Sequence, residues 1–170
     1  MELLICVRIL KRKNKIKIKN MINGVIIKPI EKFTDDRGSL AEIFRQDALD
    51  FHPAMAYLSW TNPGIARGPH EHVYQSDCFA FPGPGNFRLH LWDRREGSST
   101  KGEKYEAVVG VDNPCVVIVP PGVVHGYQCV SEEMAMSINF PDKLYKGLNK
   151  ADEVDEIRWE NNPESPYQIK

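Results

Sequence analysis

The stretch VIVPPGVVHGY, residues 117–127, contains two short apolar segments separated by Pro120, Pro121 and Gly122. Adjacent proline and glycine residues favour a tight turn, and the β-branched residues on either side favour strands. His125 follows the turn, at the start of the second segment. The stretch therefore predicts a strand, a turn and a second strand that carries a histidine.

Short segments of the same kind recur from residue 21 to residue 139. They are β-branched, aromatic or alternately apolar and polar, and turn-forming residues separate them. The segments are GVIIKPI (24–30), SLAEIFR (39–45), AMAYLSW (54–60), DCFAF (77–81), NFRLHLWD (86–93), KYEAVVG (104–110), CVVIV (115–119), VHGYQCV (124–130) and AMSIN (135–139). Many short strands predict an all-β sandwich or closed barrel. Near the C-terminus, DEVDEIRWE (152–160) predicts one or two helical turns.

Charge is distributed unevenly along the 170 residues. The first 20 residues hold seven of the 22 Lys and Arg residues and one of the 23 acidic residues. Residues 21–170 therefore carry 15 basic and 22 acidic side chains, a net charge of about −7. An acidic domain argues against a nucleic-acid partner, because that affinity depends on neutralising phosphates.

The basic residues 1–20 are expected to be an N-terminal extension that is poorly ordered or follows a start codon assigned too early. Their apolar run is too short to span a membrane, and its charges follow the run, unlike those of a secretory signal. We expect residues 21–170 to form a single domain. The four cysteines have no metal-site spacing, which favours free thiols in the cytoplasm. These are Cys6, Cys78, Cys115 and Cys129.

The stretch ARGPHEHVYQSD, residues 66–77, places His70 and His72 one residue apart. Residues with this spacing on a strand point to the same face. Paired imidazoles there can bind a metal ion, move protons on a substrate, or simply hydrogen-bond to each other as structural groups. The spacing alone allows all three interpretations.

Together with the segment around His125, this stretch resembles the two-motif signature of the cupin superfamily, whose fold is a jelly roll or double-stranded β-helix. The resemblance implies a possible metal site of three histidines and a carboxylate, with aspartate where the superfamily normally has glutamate. Such ligands suit a divalent ion of Fe, Mn, Zn or Ni. The implied ligands are His70, His72, Asp77 and His125.

A narrower resemblance covers residues 33–159. Five stretches occur in the order seen in dTDP-4-dehydrorhamnose 3,5-epimerases. They are FTDDRGSLAEIF (33–44), ARGPH (66–70), LWDRREGSSTKGE (91–103), VIVPPGVVHGY (117–127) and EIRW (156–159). The resemblance implies the same all-β jelly roll and an enzyme that acts on a nucleotide-linked sugar without a cofactor.

In that family, the histidine of an Arg-Gly-x-His motif removes the proton next to the C4 ketone of a 4-keto-6-deoxysugar, and His70 matches it. An imidazole titrates near neutral pH and can serve as both base and acid. The resemblance implies that Arg67 is a fixed cation beside it. The implied binding residues are Arg37 and Glu42 for the nucleotide, across a dimer interface, Arg95 for the diphosphate or the site, and His125 for the cavity wall. Arg95 could instead form a structural ion pair with Asp93.

Three positions depart from the family pattern. Asn139 occupies the aligned position of the general-acid tyrosine, whereas a second active-site tyrosine is retained as Tyr145. Asp77 replaces a lysine. The aspartate that orients the family's catalytic histidine has no match after residue 159. Epimerisation at a single carbon is therefore favoured over double epimerisation.

The second histidine also resembles that of the cupin sugar 3,4-ketoisomerases, in which a histidine pair moves protons between neighbouring carbons. Arg67, His70 and His72 followed by Gln75 carry this resemblance. His72 would then be a second proton carrier, and Asp77 would orient an imidazole.

The sequence therefore predicts a cytoplasmic, homodimeric cupin jelly roll with a short C-terminal helical turn. Its predicted substrate is a nucleoside-diphosphate 4-keto-6-deoxysugar, with His70, His72 and Tyr145 as catalytic residues. Two alternatives stay open. One is a metal-dependent cupin enzyme, and the other is a catalytically silent homologue that binds a nucleotide sugar or another protein.

Overall fold

A computed structural model describes residues 21–170, so the expectation for residues 1–20, including Cys6, lies outside the described residues. Nearly all of the regular secondary structure in the described chain is β-strand. Its strands are β1 (Ile26–Pro29), β2 (Lys32–Asp35), β3 (Gly38–Ala41), β4 (Tyr57–Thr61), β5 (Ala66–Glu71), β6 (Asp77–Phe81), β7 (Asn86–Asp93), β8 (Lys104–Gly110), β9 (Cys115–Val119), β10 (Val123–Cys129), β11 (Ala135–Asn139) and β12 (Ile157–Arg158). Short 3₁₀ turns lie at Leu148–Lys150 and Trp159–Asn161.

Ten of the strands form two antiparallel sheets. The first has the order β1-β9-β6-β11-β4, and the second has the order β12-β5-β10-β7-β8. Strands β2 and β3 form a separate hairpin. Two facing antiparallel sheets built from non-consecutive strands are the arrangement of a jelly roll. The predicted all-β fold is therefore confirmed.

The core lies between the two sheets and follows the two-residue period of the strands. On β7, Phe87, Leu89 and Leu91 are fully buried and face inward, as the alternation in the sequence predicts. Phe79 on β6 and Val117 on β9 pack in the same cluster from the opposite sheet. Because alternate residues of each strand point to this space, a polar residue at an inward position must also lie there.

The outer face of the first sheet is covered as well. Cys78 on β6 and Ile118 on β9 pack under Ile30, Leu49 and Phe51. Strands β6 and β9 are therefore buried on both faces, which matches their continuous apolar sequences. Within the described chain, the free cysteines are buried, as expected; they are Cys78, Cys115 and Cys129.

Residues 152–160 differ from the helical expectation over most of their length. Ile157 and Arg158 form β12, which pairs with β5 opposite Glu71 and His70. A 3₁₀ turn begins only at Trp159. The short helical period is overridden because backbone pairing with β5 and contacts of Trp159 fix the segment in an extended form. This C-terminal segment therefore lies beside the histidine motif.

Among residues 21–170, no helix has the length and apolar character needed to cross a lipid bilayer.

Candidate active site

Four polar side chains meet at the end of the space between the sheets. Their nitrogen and oxygen atoms that could bind a metal all lie within 4.8 Å of one another. One comes from β6, one from β10, one from β5 and one from the residue just after β5. They are His70, His72, Asp77 and His125. The structure thus brings together the four residues of the predicted cluster.

Gly68 allows β5 and β10 to approach closely at this cluster. His70 lies directly opposite His125 across the two strands, and their ring centroids are 4.5 Å apart. The φ angle of Gly68 is +79°, and a Cβ atom there would lie 2.7 Å from the backbone oxygen of His125. The same Cβ would lie 3.1 Å from Nδ1 of His70. The glycine of the ARGPH motif therefore meets a steric requirement of the histidine pair.

Asp77 is the centre of the hydrogen-bond network. Its Oδ1 accepts bonds from Nε2 of Gln75 and Nδ2 of Asn139, each at 2.9 Å. Its Oδ2 lies 3.1 Å from Nε2 of His72 and 3.0 Å from Nε2 of His125. Burial alone would raise the pKa of Asp77, but its bonds to the two histidines hold the pKa well below the usual range. The buried carboxylate is therefore ionised.

The two histidines that contact Asp77 through Nε2 are also oriented by contacts of their Nδ1 atoms. Nδ1 of His72 faces the backbone oxygen of Asp155, and Nδ1 of His125 lies 2.9 Å from the backbone oxygen of Val123. Carbonyl and carboxylate oxygens only accept hydrogen bonds. The geometry therefore calls for positive charge here, carried either by a protonated imidazole or by a bound cation.

The pKa of His72 agrees with the first possibility. Burial alone would lower this pKa, but hydrogen bonding and Coulombic attraction to Asp77 outweigh it and raise the pKa above its ordinary value. A raised pKa extends the pH range over which a histidine keeps its proton. His72 can therefore act as a proton donor.

His70 has the opposite character. Burial, together with the neighbouring His125 and His72, lowers the pKa of His70 well below its ordinary value. Its Nδ1 lies 3.6 Å from Oε1 of Glu156, a carboxylate that is itself largely buried. A neutral imidazole that places its N–H towards a carboxylate leaves Nε2 free to accept a proton. His70 is therefore suited to act as a base.

A cavity of about 1070 Å³ opens beside these histidines. His70, His72 and Tyr57 line one side, and residues 141–158 supply much of the remaining wall. Its volume is at the upper end of the range typical for bound small molecules. Side chains of both charges line it, and four of them are cations. They are Lys143, Lys146, Lys150 and Arg158.

Asp155 fastens the C-terminal segment to the loop after β5. Its carboxylate accepts hydrogen bonds from the backbone N–H groups of Val73, Tyr74 and Gln75, at 2.9, 2.8 and 2.9 Å. Trp159 adds a second attachment, because its Nε1 donates to Oε1 of buried Glu71 at 3.2 Å. These contacts hold Glu156 next to His70.

The other residues predicted for the site are divided between the cavity and more distant positions. Gln75 and Tyr145 line the cavity, and Tyr145 is about half exposed. Among residues 21–170, those lining the cavity do not include Arg67, which donates to Oγ1 of Thr61 at 2.8 Å and to the backbone oxygen of Trp60 at 2.8 Å.

Four further predicted binding residues also lie outside the cavity lining of the described chain, and one of them, His125, predicted for the cavity wall, is buried in the cluster around Asp77. Arg95 forms an ion pair with Asp93 at 2.8 Å, which is the structural alternative raised for it. Arg37 pairs with Asp35 in the β2–β3 hairpin, and Glu42 pairs with Arg45 just beyond it. Both of these pairs are exposed to solvent.

Two cavity residues, Tyr57 and Glu156, were not among the predicted site residues. Glu156 supplies the carboxylate next to His70, the position for which the sequence offered no aspartate. Tyr57 lies opposite Asn139 on the neighbouring strand, and its hydroxyl accepts a hydrogen bond from that amide. Both depend on strand pairing between distant parts of the chain, for which a single sequence gives no direct signal.

Comparisons with known proteins agree on one family. The family model described as dTDP-4-dehydrorhamnose 3,5-epimerase matches residues 19–167. The chain is 39% identical to the spore coat polysaccharide biosynthesis protein SpsL of Bacillus subtilis over 139 residues, covering 81% of this chain and 89% of that protein. It is 35% identical to a probable low-salt glycan biosynthesis epimerase of Haloferax volcanii over 127 residues, covering 73% and 81%.

Solved structures confirm the fold. A dTDP sugar isomerase from Desulfovibrio desulfuricans has a TM-score of 0.75 at 22% identity and covers 86% of this chain and 91% of its own. A 3'-monoepimerase from Streptomyces bikiniensis, in complex with dTDP-quinovose, has a TM-score of 0.69 at 18% identity, covering 81% and 70%. With the family model matching nearly the whole described chain, this protein belongs to the dTDP-4-dehydrorhamnose 3,5-epimerase family of sugar epimerases.

Proposed function

We propose that this chain is an epimerase that removes a proton from the carbon next to the C4 ketone of a nucleoside-diphosphate 4-keto-6-deoxysugar. The observation that carries the proposal is His70, a largely buried imidazole with a lowered pKa that lines a cavity of about 1070 Å³. Such a base is neutral, and therefore able to accept a proton, at physiological pH. The family membership supports the substrate class.

In this mechanism the substrate's C–H bond breaks and the proton moves to Nε2 of His70. The imidazolium that forms is stabilised by Glu156, which lies next to Nδ1. The electron pair left on carbon is delocalised onto the ketone oxygen as an enolate, and return of a proton to the opposite face of the carbon inverts it. His72, whose pKa is raised, is the second proton carrier of this proposal.

The remaining predicted residues take supporting roles. Gln75 and His125 hold Asp77, and through it they fix the orientation of His72. For Arg67, predicted as a fixed cation beside the base, the hydrogen bonds to Thr61 and to the backbone of Trp60 favour a structural role over substrate contact. For Arg95, the ion pair with Asp93 favours a structural role over substrate contact.

The first test is deuterium uptake from D₂O into dTDP-4-keto-6-deoxyglucose, measured by mass spectrometry. We expect uptake by the wild-type protein and none by His70→Ala. A matched control is His52→Ala, because His52 is exposed and is not among the described residues lining the cavity. Uptake that is equal in wild type and His70→Ala would overturn the proposal.

The position of the label distinguishes the possible reactions. Deuterium at C3 or C5 with inversion indicates an epimerase, whereas deuterium at C4 with the ketone moved from C4 to C3 indicates a 3,4-ketoisomerase. A protein that binds the nucleotide sugar without any uptake would be the catalytically silent homologue.

A metal-dependent enzyme is the second candidate, and one observation favours it. Two atoms bound to one tetrahedral zinc ion lie roughly 3.3 Å apart, close to the separations of 3.1 and 3.0 Å between Asp77 Oδ2 and the Nε2 atoms of His72 and His125. Their Nδ1 atoms face backbone carbonyls, as in many metal sites. A bound divalent ion would polarise the substrate's carbonyl.

Metal content separates this candidate from the first. The metal-free proposal expects the purified protein to contain no stoichiometric transition metal and deuterium uptake to survive EDTA. About one equivalent of metal, its loss in Asp77→Asn and loss of uptake after EDTA would favour the metal-dependent enzyme.

We further propose that the protein is a homodimer in which Arg37 and Glu42 contact the nucleotide bound by the partner. The β2–β3 hairpin that precedes Glu42 exposes two large apolar side chains, Phe33 and Leu40, at 57% and 63%. A second copy that covered this hairpin would remove those side chains from water. Light scattering during gel filtration is expected to give twice the chain mass.

Mixing two inactive variants tests the shared site. His70→Ala lacks the base and Arg37→Ala lacks the nucleotide contact, so mixed dimers would contain one intact site. Recovery of roughly a quarter of wild-type activity after mixing would support the proposal. If subunits are shown to exchange and no activity is recovered, the result contradicts the proposal.

Polysaccharide synthesis in the cytoplasm is the setting we propose for this activity. The relative from Bacillus subtilis is named for spore coat polysaccharide biosynthesis, and the one from Haloferax volcanii for glycan biosynthesis. A nucleotide-linked deoxysugar is the activated form that glycan assembly consumes.

A further inference from the structure

Tyr57 and Asn139 form a pair across two neighbouring strands at the cavity. They lie directly opposite each other in the register of β4 and β11. Asn139 is buried, with 2% of its surface exposed, whereas Tyr57 is about half exposed and lines the cavity that also contains His70. The phenol thus stands between a buried amide and the space proposed for the substrate.

The buried network fixes which way the amide of Asn139 points. Its Nδ2 lies 2.9 Å from Oδ1 of Asp77, and an ionised carboxylate can only accept hydrogen bonds. The nitrogen, not the oxygen, must therefore face Asp77. The same nitrogen lies 2.9 Å from the hydroxyl oxygen of Tyr57.

The hydroxyl of Tyr57 is consequently an acceptor towards Asn139. Both amide hydrogens are then used, one on Asp77 and one on Tyr57. Because the phenol oxygen receives this bond, its own proton is free to be donated to a group in the cavity. Desolvation raises the pKa of Tyr57 to about 12, so the hydroxyl keeps that proton at neutral pH.

We propose that Tyr57 donates its hydroxyl proton to the substrate's ketone oxygen as the neighbouring carbon loses its proton to His70. The C–H bonding pair becomes the new C=C bond, and the C=O π pair takes the proton from Tyr57, which gives a neutral enol. Reprotonation of carbon returns the enol proton to Tyr57. A neutral donor at the oxygen where negative charge develops is the arrangement such a transition state requires.

Asn139 is a positioning residue in this proposal. It holds the phenol oxygen from behind and couples it to Asp77, the carboxylate that also binds His72. Tyr145 is the competing donor, because it lines the same cavity. The inference rests on the proposed function, since it assigns a second group to the same reaction.

The test compares Tyr57→Phe with Tyr145→Phe in the deuterium-uptake assay. We expect Tyr57→Phe to lower kcat by about 10²–10⁴-fold, the range for loss of an acid or base, while KM changes by less than about threefold. Tyr145→Phe, the variant of the competing donor, is expected to lower kcat by less than Tyr57→Phe does. Tyr74→Phe is the matched control, because Tyr74 is a more exposed tyrosine of the same cavity.

Folding is checked separately, by thermal denaturation of each variant. Asn139→Ala keeps the phenol but removes the group that fixes it, so its rate should fall between those of Tyr57→Phe and wild type. If Tyr57→Phe retains kcat within about threefold, or if Tyr145→Phe shows the large loss instead, the role of Tyr57 is overturned while the epimerase proposal stands. No uptake by the wild-type protein would overturn both.

Discussion

Opposite protonation states of neighbouring histidines are the main chemical feature at the scale of single residues. Asp77 is ionised and bonds His72 and His125, whereas the carboxylate nearest to Nδ1 of His70 is that of Glu156. Burial and the neighbouring imidazoles lower the pKa of His70, whereas for His72 the bond to Asp77 outweighs burial and raises the pKa. One imidazole is thus prepared to give a proton and the other to take one.

The pH dependence of the reaction should reflect the lowered pKa of His70. A base is active when it is deprotonated, so a pKa well below 6.5 keeps His70 active on the acidic side of neutrality. We expect kcat/KM for deuterium uptake to stay constant within about twofold from pH 8 to pH 6. An acidic limb centred near pH 6.5 would contradict the lowered pKa.

Glu156→Gln tests the carboxylate that faces His70. The amide keeps the shape but does not stabilise the imidazolium, so kcat should fall by about 10–100-fold with little change in KM. Steady-state kinetics of the wild type and the variant measure this split. Glu153→Gln, in the same segment and lining the same cavity, is the control and should retain kcat.

At the scale of elements, the C-terminal segment is what completes the site. Strand β12 pairs with β5, and Trp159 anchors it by donating to Glu71, while Arg94 binds the same carboxylate and lies over the Trp159 ring. The segment places Glu156 next to His70, although the two residues are far apart along the chain. Its attachment, rather than the core, controls the geometry around the base.

Trp159→Ala should therefore affect activity more than stability. Loss of the indole removes one attachment of the segment and loosens Glu156, so we expect kcat to fall by about tenfold or more. The core between the sheets is untouched, and the thermal midpoint should fall by only a few degrees. A large loss of stability with normal kcat in the folded fraction would contradict this account.

The sequence predicts some elements well and others poorly, for identifiable reasons. Strands β6, β7, β8, β9 and β11 coincide with the predicted segments, because turn residues bound them on both sides. Strand β5 was not among those segments, since Gly68 and Pro69 lie inside it. Its pairing with β10 and β12 outweighs these local preferences.

The residues of the candidate site also differ in how well the sequence predicts them. His70, His72, Asp77 and His125 are recognisable because motifs in the sequence mark them, and the structure brings them together. Tyr57 and Glu156 reach the site through the register of β4 with β11 and of β12 with β5. Long-range register depends on packing of the whole domain, which local patterns do not encode.

At the scale of the whole molecule, the loop after β7 is held by the buried carboxylate of Asp93, which pairs with the partly exposed Arg95. Asp93 accepts hydrogen bonds from Arg95, Ser98 and Thr100. Burial alone would raise the pKa of Asp93, but these bonds hold it well below its usual range. A depressed pKa adds stability that is present above about pH 4 and is lost as the pH falls.

Asp93→Asn should accordingly destabilise the whole domain. The variant leaves Arg95 without its carboxylate, and the free energy of unfolding at pH 7 should fall by about 2–3 kcal/mol. The difference between wild type and variant should shrink as the pH falls below 4, because Asp93 of the unfolded wild type then binds a proton while the folded state still holds it ionised. Urea denaturation at pH 7 and pH 3 measures both values, and a difference that does not depend on pH would contradict the assignment.

The two-residue strand β12 also has a consequence for local unfolding. It lies at the edge of its sheet, and it pairs Arg158 with His70, a partner 88 positions earlier in the chain. Short edge strands open at a lower free-energy cost than strands within a core. A fraction of the molecules will therefore have an intact jelly roll but a separated base and carboxylate. The fraction of active molecules therefore depends on local opening of β12, which is a separate equilibrium from global unfolding. Amide hydrogens of residues 155–158 should exchange with solvent before those of β6 or β9.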